Sequence, residues 1–74
     1  MTMTLGERIA LLRRRHALTQ QQLARAAGLN ITTLARVERG ETHDLCGQRI
    51  AALCCVLDCS SDFLLGLSEE ERHG

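Results

Sequence analysis

The chain has 74 residues, enough for one domain with a single hydrophobic core and too few for two. Apolar residues make up 45% of it, proline is absent and Phe63 is its one aromatic residue, which favours packed helices over a β-sheet. No apolar run approaches the roughly 20 residues that span a bilayer, and the N-terminus lacks the pattern of a signal peptide. We therefore expect an all-α, soluble, cytoplasmic protein.

The formal net charge is zero, but the two signs are separated along the chain. From Arg8 to Arg39 there are seven arginines and one acid, Glu38, whereas from residue 41 onward seven acids accompany only two arginines. A basic N-terminal half and an acidic C-terminal half would suit a phosphate-binding face, with the acidic half turned away from the phosphates. Two differently solvated surfaces would give the same pattern, so charge alone leaves both interpretations open.

Two capping boxes predict where the first two helices begin. Thr4, with Glu7 three residues later, opens a helix over residues 5–16, and Thr19, with Gln22, opens a second, short helix. Apolar residues recur at helical spacing in both segments. Each helix is thus expected to place one face on the core.

Glycines predict the next boundaries. Gly28 ends the second helix, Asn30 is a good N-cap for a third helix over residues 31–39, and Gly40 stops that helix. A left-handed residue commonly follows a helix, and only glycine adopts that conformation without steric cost. The second and third helices are therefore joined by a very short turn.

The remaining chain predicts two further helices and a tail. A fourth helix is expected over residues 45–57 with Asp44 as its cap, and a short fifth one over residues 60–66. The folded domain is then residues 1–66, and residues 67–74 form an acidic, flexible tail.

Two short helices joined by a glycine-containing turn of three or four residues are the signature of a helix-turn-helix. The residues that carry it are Gln20, Ala24, Gly28, Leu29, Leu34 and Val37. With these residues the chain resembles the Cro and phage-repressor (Xre-like) family of regulators, over about residues 5–66. The resemblance implies a compact five-helix bundle with a helix-turn-helix, the lambda repressor-like DNA-binding fold.

In that family the second helix of the pair lies in the DNA major groove and the first crosses the backbone. The resemblance implies base contacts from Ile31, Thr32, Thr33 and Arg36, and phosphate contacts from Gln20, Asn30 and Arg39. Arg36 would read a guanine with both arms of its guanidinium, whereas Thr33 could equally reach a phosphate. Arg13 and Glu38 match an ion pair of the family and are assigned a structural role.

A solvated face is the alternative for the third helix. Its predicted outer side carries Ile31, Thr32, Ala35 and Arg36, whereas a merely solvated helix would be rich in Glu and Lys. The short side chains favour contact with DNA.

Two positions depart from the family pattern. Ala17 stands where the family often has glycine, so a left-handed conformation there would cost on the order of 1 kcal/mol. Residues 41–44 include two acids where relatives often carry Lys or Arg. We therefore expect a modest, salt-sensitive affinity for DNA.

Four cysteines invite a metal or redox interpretation, but their spacing argues against one. There is no C-x-x-C pair, and Cys46 lies two helical turns from Cys54, about 12 Å along the axis and beyond disulfide reach. Cys46, Cys54 and Cys59 are expected to pack as small hydrophobes. Cys55 falls on the outer side of the fourth helix, as a reactive thiol or a dimer contact.

His16, His43 and His73 show no ligand spacing and are expected to be solvated. No nucleophile, base and orienting group can be assembled, and no glycine-rich phosphate loop is present. The chain is therefore expected to be no enzyme and to need no metal or cofactor.

Together these features predict a sequence-specific regulator of transcription that binds double-stranded DNA and acts as a repressor. A homodimer, which could form only on DNA, would place two recognition helices about 34 Å apart on a near-palindromic operator. Cys55, Leu64 and Leu67 are the candidate dimer surface. Two alternatives stay open: an antitoxin-type regulator that holds a protein partner, and a thiol or metal sensor on the same DNA-binding core.

Overall fold

The computed structural model describes residues 3–42 and 45–66, and this part of the chain is helical, with no β-strand. The helices are α1 (Leu5–Arg15), α2 (Gln20–Ala27), α3 (Ile31–Glu38), α4 (Gly47–Leu57) and α5 (Ser61–Leu64). The all-α prediction is confirmed, but α5 is little more than one turn, so the predicted five-helix bundle is four full helices and one short turn of helix. None of the described helices is both long and apolar enough to cross a membrane.

The predicted starts of α1 and α2 are confirmed by their caps. Thr4 Oγ1 accepts from the Glu7 amide at 3.1 Å, and Glu7 Oε1 accepts in return from the Thr4 amide at 2.8 Å. Thr19 and Gln22 form the same reciprocal pair at 3.1 and 2.8 Å. Both boxes satisfy amides that have no partner inside the helix, and so they hold each helix start in place.

The start of α4 differs from its prediction. The backbone of Cys46 is extended, and its carbonyl accepts from the amides of Arg49 and Ile50 at 3.0 Å each, which makes Cys46 the N-cap. The predicted cap, Asp44, precedes this boundary by two residues and lies outside the described residues. Cys46 is exposed, so the prediction that it packs in the core is wrong: an N-cap residue lies before the first helical turn that faces the core.

The core is built from one face of each helix. Its apolar residues, each less than a tenth exposed, are Ile9, Leu12, Leu23, Ala24, Ala27, Leu34, Val37, Ile50, Leu53, Cys54, Leu57, Cys59, Phe63 and Leu64. Cys54 and Cys59 thus pack as small hydrophobes, as predicted. Leu64 is fully buried, so its assignment to a dimer surface is wrong: α5 turns this residue inward and leaves the next one, Leu65, 52% exposed. The proposed tail and Leu67 lie outside the described residues.

Two polar side chains near the ends of α1 connect it to other helices, which the sequence did not predict. Arg8 is only 8% exposed, and its Cζ lies 5.0 Å from the centroid of the Phe63 ring, a cation–π contact between α1 and α5. His16, expected to be solvated, is hydrogen-bonded through Nε2 to the Leu57 carbonyl at 2.8 Å. Arg8 is therefore not part of a basic outer face.

Ala17 adopts the left-handed conformation, with a φ of 56°. Its amide donates to the Arg14 carbonyl and the next amide donates to the Arg13 carbonyl, both at 3.0 Å, which closes the end of α1 in the pattern usually made with glycine. We predict that Ala17→Gly raises the free energy of unfolding by about 0.5–1 kcal/mol, measured by urea denaturation. Ala51→Gly, on the exposed side of α4, should lower it by about 1 kcal/mol. A loss from both variants would contradict the assignment of strain to residue 17.

Candidate nucleic-acid interface

The α2–α3 pair has the predicted helix-turn-helix geometry. Gly28 ends α2 in a left-handed conformation with a φ of 71°, and the Leu29 amide returns to the Ala24 carbonyl at 2.7 Å. Asn30 then caps α3, its Oδ1 accepting from the Thr32 amide at 2.8 Å. Only three residues separate the helices, so α3 is held at a defined angle against α2.

The buried face of α3 is apolar and its opposite face is open to solvent. Leu34 and Val37 are fully buried, whereas Ile31 is 45% exposed and the Arg36 side chain 55% exposed. Of the other predicted base-contact residues, Thr32 is exposed and Thr33 is half-buried. The structure thus places these residues along the outer side of one helix, and their contacts with bases stay a prediction.

An ion pair between Arg13 and Glu38 holds the inner side of α3 against α1. Arg13 donates from Nε and Nη2 to the two carboxylate oxygens of Glu38, at 2.9 and 3.0 Å. Its Nη1 donates to the Leu18 carbonyl at 2.9 Å. The side chains are 13% and 7% exposed, so this predicted pair is present and largely buried. It connects α1 directly to the end of α3.

Gln20 joins the same cluster. Its Nε2 donates to Glu38 Oε1 at 3.0 Å, so the amide that the sequence assigned to a phosphate already has one partner within the protein. The second hydrogen of that amide and the backbone amide of Gln20, in the first turn of α2, are the groups with which it could reach a phosphate. The phosphate contact stays a prediction.

The two arginines of the exposed face share one acid. Arg39 Nε donates to Glu41 Oε2 at 2.5 Å, and Arg36 Nε lies 3.8 Å from Glu41 Oε1. The hydrogen bond from Arg39 lowers the pKa of the Glu41 carboxyl below its usual value, and attraction by both arginines adds to this. The same hydrogen bond raises the pKa of Arg39. Both predicted DNA-contacting arginines are therefore close to a resident carboxylate.

Arg49 is a candidate contact that the sequence analysis missed. A depression beside the start of α3 is lined by Leu29, Asn30, Thr33, Leu45, Cys46 and Arg49. The Arg49 side chain is exposed and crosses the turn, its Nη1 lying 3.0 Å from where a Cβ on Gly28 would stand. The N-terminus of α4, which favours an anion, borders the same depression. Because Arg49 follows the acidic residues 41 and 44 in the chain, charge along the sequence groups it with the acidic half, whereas the structure places it beside the turn before α3.

All four cysteines lie in the described part of the chain, and none of them forms a disulfide bond. Cys55 is exposed on α4, as predicted, and Cys46 is exposed beside Arg49. Among the residues that the structure describes, no cluster of three His, Cys, Asp or Glu side chains could hold a metal ion.

The sequence matches the family model described as a helix-turn-helix domain over residues 4–73. The chain belongs to this family. A search among curated proteins finds no significant match. Membership agrees with the capped α2, the glycine turn and the capped α3 described above.

Solved structures of similar chains share the fold. The P22 c2 repressor, crystallised with a synthetic operator, is 33% identical with a TM-score of 0.83, over 90% of this chain and 100% of that one. The N-terminal DNA-binding domain of SinR from Bacillus subtilis is 29% identical with a TM-score of 0.81, over 89% and 96%. The restriction-modification controller protein C.AhdI from Aeromonas hydrophila is 31% identical with a TM-score of 0.75, over 82% and 91%. The resemblance to the Cro and phage-repressor regulators and the lambda repressor-like fold are confirmed, and with them a DNA-binding regulator at the level of the family.

Proposed function

We propose that the chain is a sequence-specific transcriptional repressor that inserts α3 into the major groove of double-stranded DNA. One observation carries the proposal: α3 is braced on its inner side by the buried Arg13–Glu38 pair while its outer side presents Ile31, Thr32 and Arg36 to solvent. A major groove about 12 Å wide admits an α-helix, and Arg36 has the donors for a bidentate contact with guanine.

Phosphate contacts would fix the orientation of α3 in the groove. Arg39 stands at its C-terminal end, and Asn30 and Arg49 stand near its N-terminal end. Such contacts bind every sequence alike and position the helix, while base contacts discriminate. The P22 c2 repressor, solved with a synthetic operator, and SinR, solved in complex with DNA, support binding to DNA by this chain.

The active species is proposed to be a homodimer that forms on DNA, with two α3 helices about 34 Å apart on a near-palindromic site. Cys55 is exposed and available to such a contact. Selection of bound sites from a random duplex library tests both parts: recovery of a palindromic site that binds two chains is expected. Recovery of no preferred sequence would contradict specific binding, and one chain per site would contradict the dimer.

Arg36→Ala should relax the preference at one base pair of the selected site, a loss of about 1–3 kcal/mol of discrimination. Arg39→Ala, on the same exposed face, should instead weaken binding to all sequences alike, because a phosphate is the same at every step. Competition gel shifts with single-base variants of the selected site separate the two effects. Equal loss on every variant site for both substitutions would rule out base reading by Arg36.

The thiol-sensor alternative has one supporting observation, the exposure of Cys46 beside Arg49 at the edge of the interface. Gel shifts before and after alkylation, repeated on Cys46→Ser and Cys55→Ser variants, test it. Indifference of binding to alkylation would exclude a sensor. The antitoxin-type alternative requires a stable protein partner, which a pull-down would reveal, and we propose a binding protein rather than an enzyme in every case.

A further inference from the structure

Glu41 lies three residues beyond the end of α3, the proposed recognition helix, and its backbone conformation is restricted. Gly40 is left-handed, with a φ of 78°. The Gly40 amide donates to the Val37 carbonyl at 3.0 Å, and the Glu41 amide donates to the Arg36 carbonyl at 2.9 Å. These two bonds form a Schellman motif, which folds the chain back against the last turn of α3. The position of Glu41 beside the arginines of α3 is therefore set by the backbone.

The contacts of the Glu41 carboxylate are unequal. It is hydrogen-bonded to Arg39 at 2.5 Å, whereas Arg36 lies 3.8 Å away without a hydrogen bond. The side chains of Arg39 and Glu41 are 59% and 49% exposed, so both groups are accessible to a ligand. The hydrogen bond is thus with the arginine assigned to a phosphate.

We propose that Glu41 competes with DNA phosphate for Arg39 and thereby weakens binding to DNA of every sequence. This inference rests on the proposed function. A carboxylate and a phosphate offer a guanidinium the same charged oxygen acceptors, so a phosphate has to share the Arg39 charge with Glu41, whose hydrogen bond already takes the Nε hydrogen. The carboxylate also places a negative charge where the DNA backbone must approach. Arg36 forms only the longer ion pair with Glu41 and no hydrogen bond, so the effect on discrimination between bases should be small.

If the Arg39–Glu41 pair served only to stabilise the fold, Glu41→Gln would lower the thermal midpoint and would not tighten binding to DNA. Ion pairs between exposed side chains contribute little to folding, so removal of the Glu41 charge should leave the thermal midpoint unchanged. Affinity for DNA and its salt dependence respond instead to the number of phosphates that the protein neutralises. These two readouts therefore separate competition from a role in folding.

The test is Glu41→Gln, measured by fluorescence anisotropy with a labelled random-sequence duplex and with a duplex selected by the wild-type chain. Binding to both should tighten by about fivefold. The slope of log affinity against log salt should become steeper by about one, as if one more phosphate were neutralised. Asp58→Asn makes the same charge change at the C-terminal end of α4. It should leave the affinity and its salt dependence near the wild-type values.

A double-mutant cycle tests the mechanism. In an Arg39→Ala background, Glu41→Gln should give little or no gain, because the group for which it competes is gone. Equal gains in both backgrounds, an equal gain from Asp58→Asn, or no gain at all would overturn the inference. A wild-type chain that binds no duplex at low salt would overturn the proposed function as well, whereas normal wild-type binding with no effect of Glu41→Gln would overturn this inference alone.

Discussion

Gly6→Ala is expected to lower the free energy of unfolding by on the order of 3 kcal/mol or more. A Cβ at residue 6 would stand 1.9 Å from the Val37 carbonyl oxygen and 2.8 Å from the Glu38 Cα, both backbone atoms of α3. No rotamer change relieves such a clash, so α1 and α3 would have to move apart. A domain of this size has a total stability of only about 4–11 kcal/mol.

Gly47→Ala is the matched control, because Gly47 is also helical but, apart from its own turn of helix, no described atom lies within 4 Å of where its Cβ would stand. It should leave stability unchanged or raise it by up to about 1 kcal/mol. Urea denaturation followed by circular dichroism measures both variants. If Gly6→Ala proved as stable as Gly47→Ala, the close approach of α1 to α3 would be wrong.

Glu38→Ala should be comparably destabilising, by about 3–5 kcal/mol, because it leaves the Arg13 guanidinium buried without its charge partner. The amide of Gln20 loses its acceptor at the same time. The consequence for function is direct, since this cluster ties α1 and α2 to the end of the recognition helix. The thermal midpoint and the affinity for the selected site, measured by gel shift, should therefore fall together.

The double variant Arg13→Met with Glu38→Leu distinguishes a lost interaction from an isolated charge. Replacing both charges with apolar side chains of similar size removes the unpaired guanidinium, so this variant should be more stable than Glu38→Ala. The comparison uses the same denaturation measurement. A double variant less stable than Glu38→Ala would show that the pair contributes more than the desolvation of its charges costs.

Local signals in the sequence are sufficient to predict the helix-turn-helix. Both capping boxes and the left-handed Gly28 act between residues at most five positions apart, so their outcome depends little on the rest of the fold. The Arg13–Glu38 pair spans 25 residues, and only the family resemblance pointed to it. It could not have been derived from spacing within one helix.

Most of the wrong predictions concern which side chains are buried or exposed, not where the helices begin and end. The sequence predicts an outer surface for Leu64 and the core for Cys46, and the reverse is observed for both. Charge along the chain places Arg8 with the basic face, although it packs on Phe63. It also places Arg49 with the acidic half, although this residue reaches the turn before α3. In each case the residue's position on its own helix was insufficient, because burial depends on which helix lies opposite.

By itself, therefore, the sequence determined the helical class, the capped α2–turn–α3 unit and the apolar inner face of the recognition helix. These follow from caps, glycine conformation and a period of 3.6 residues, which act over a few neighbouring residues. Only the tertiary structure decided that Gly6 lies against the backbone of α3 and which arginines face outward. Those features arise where separate helices meet, and contacts between helices cannot be read from spacing along one of them.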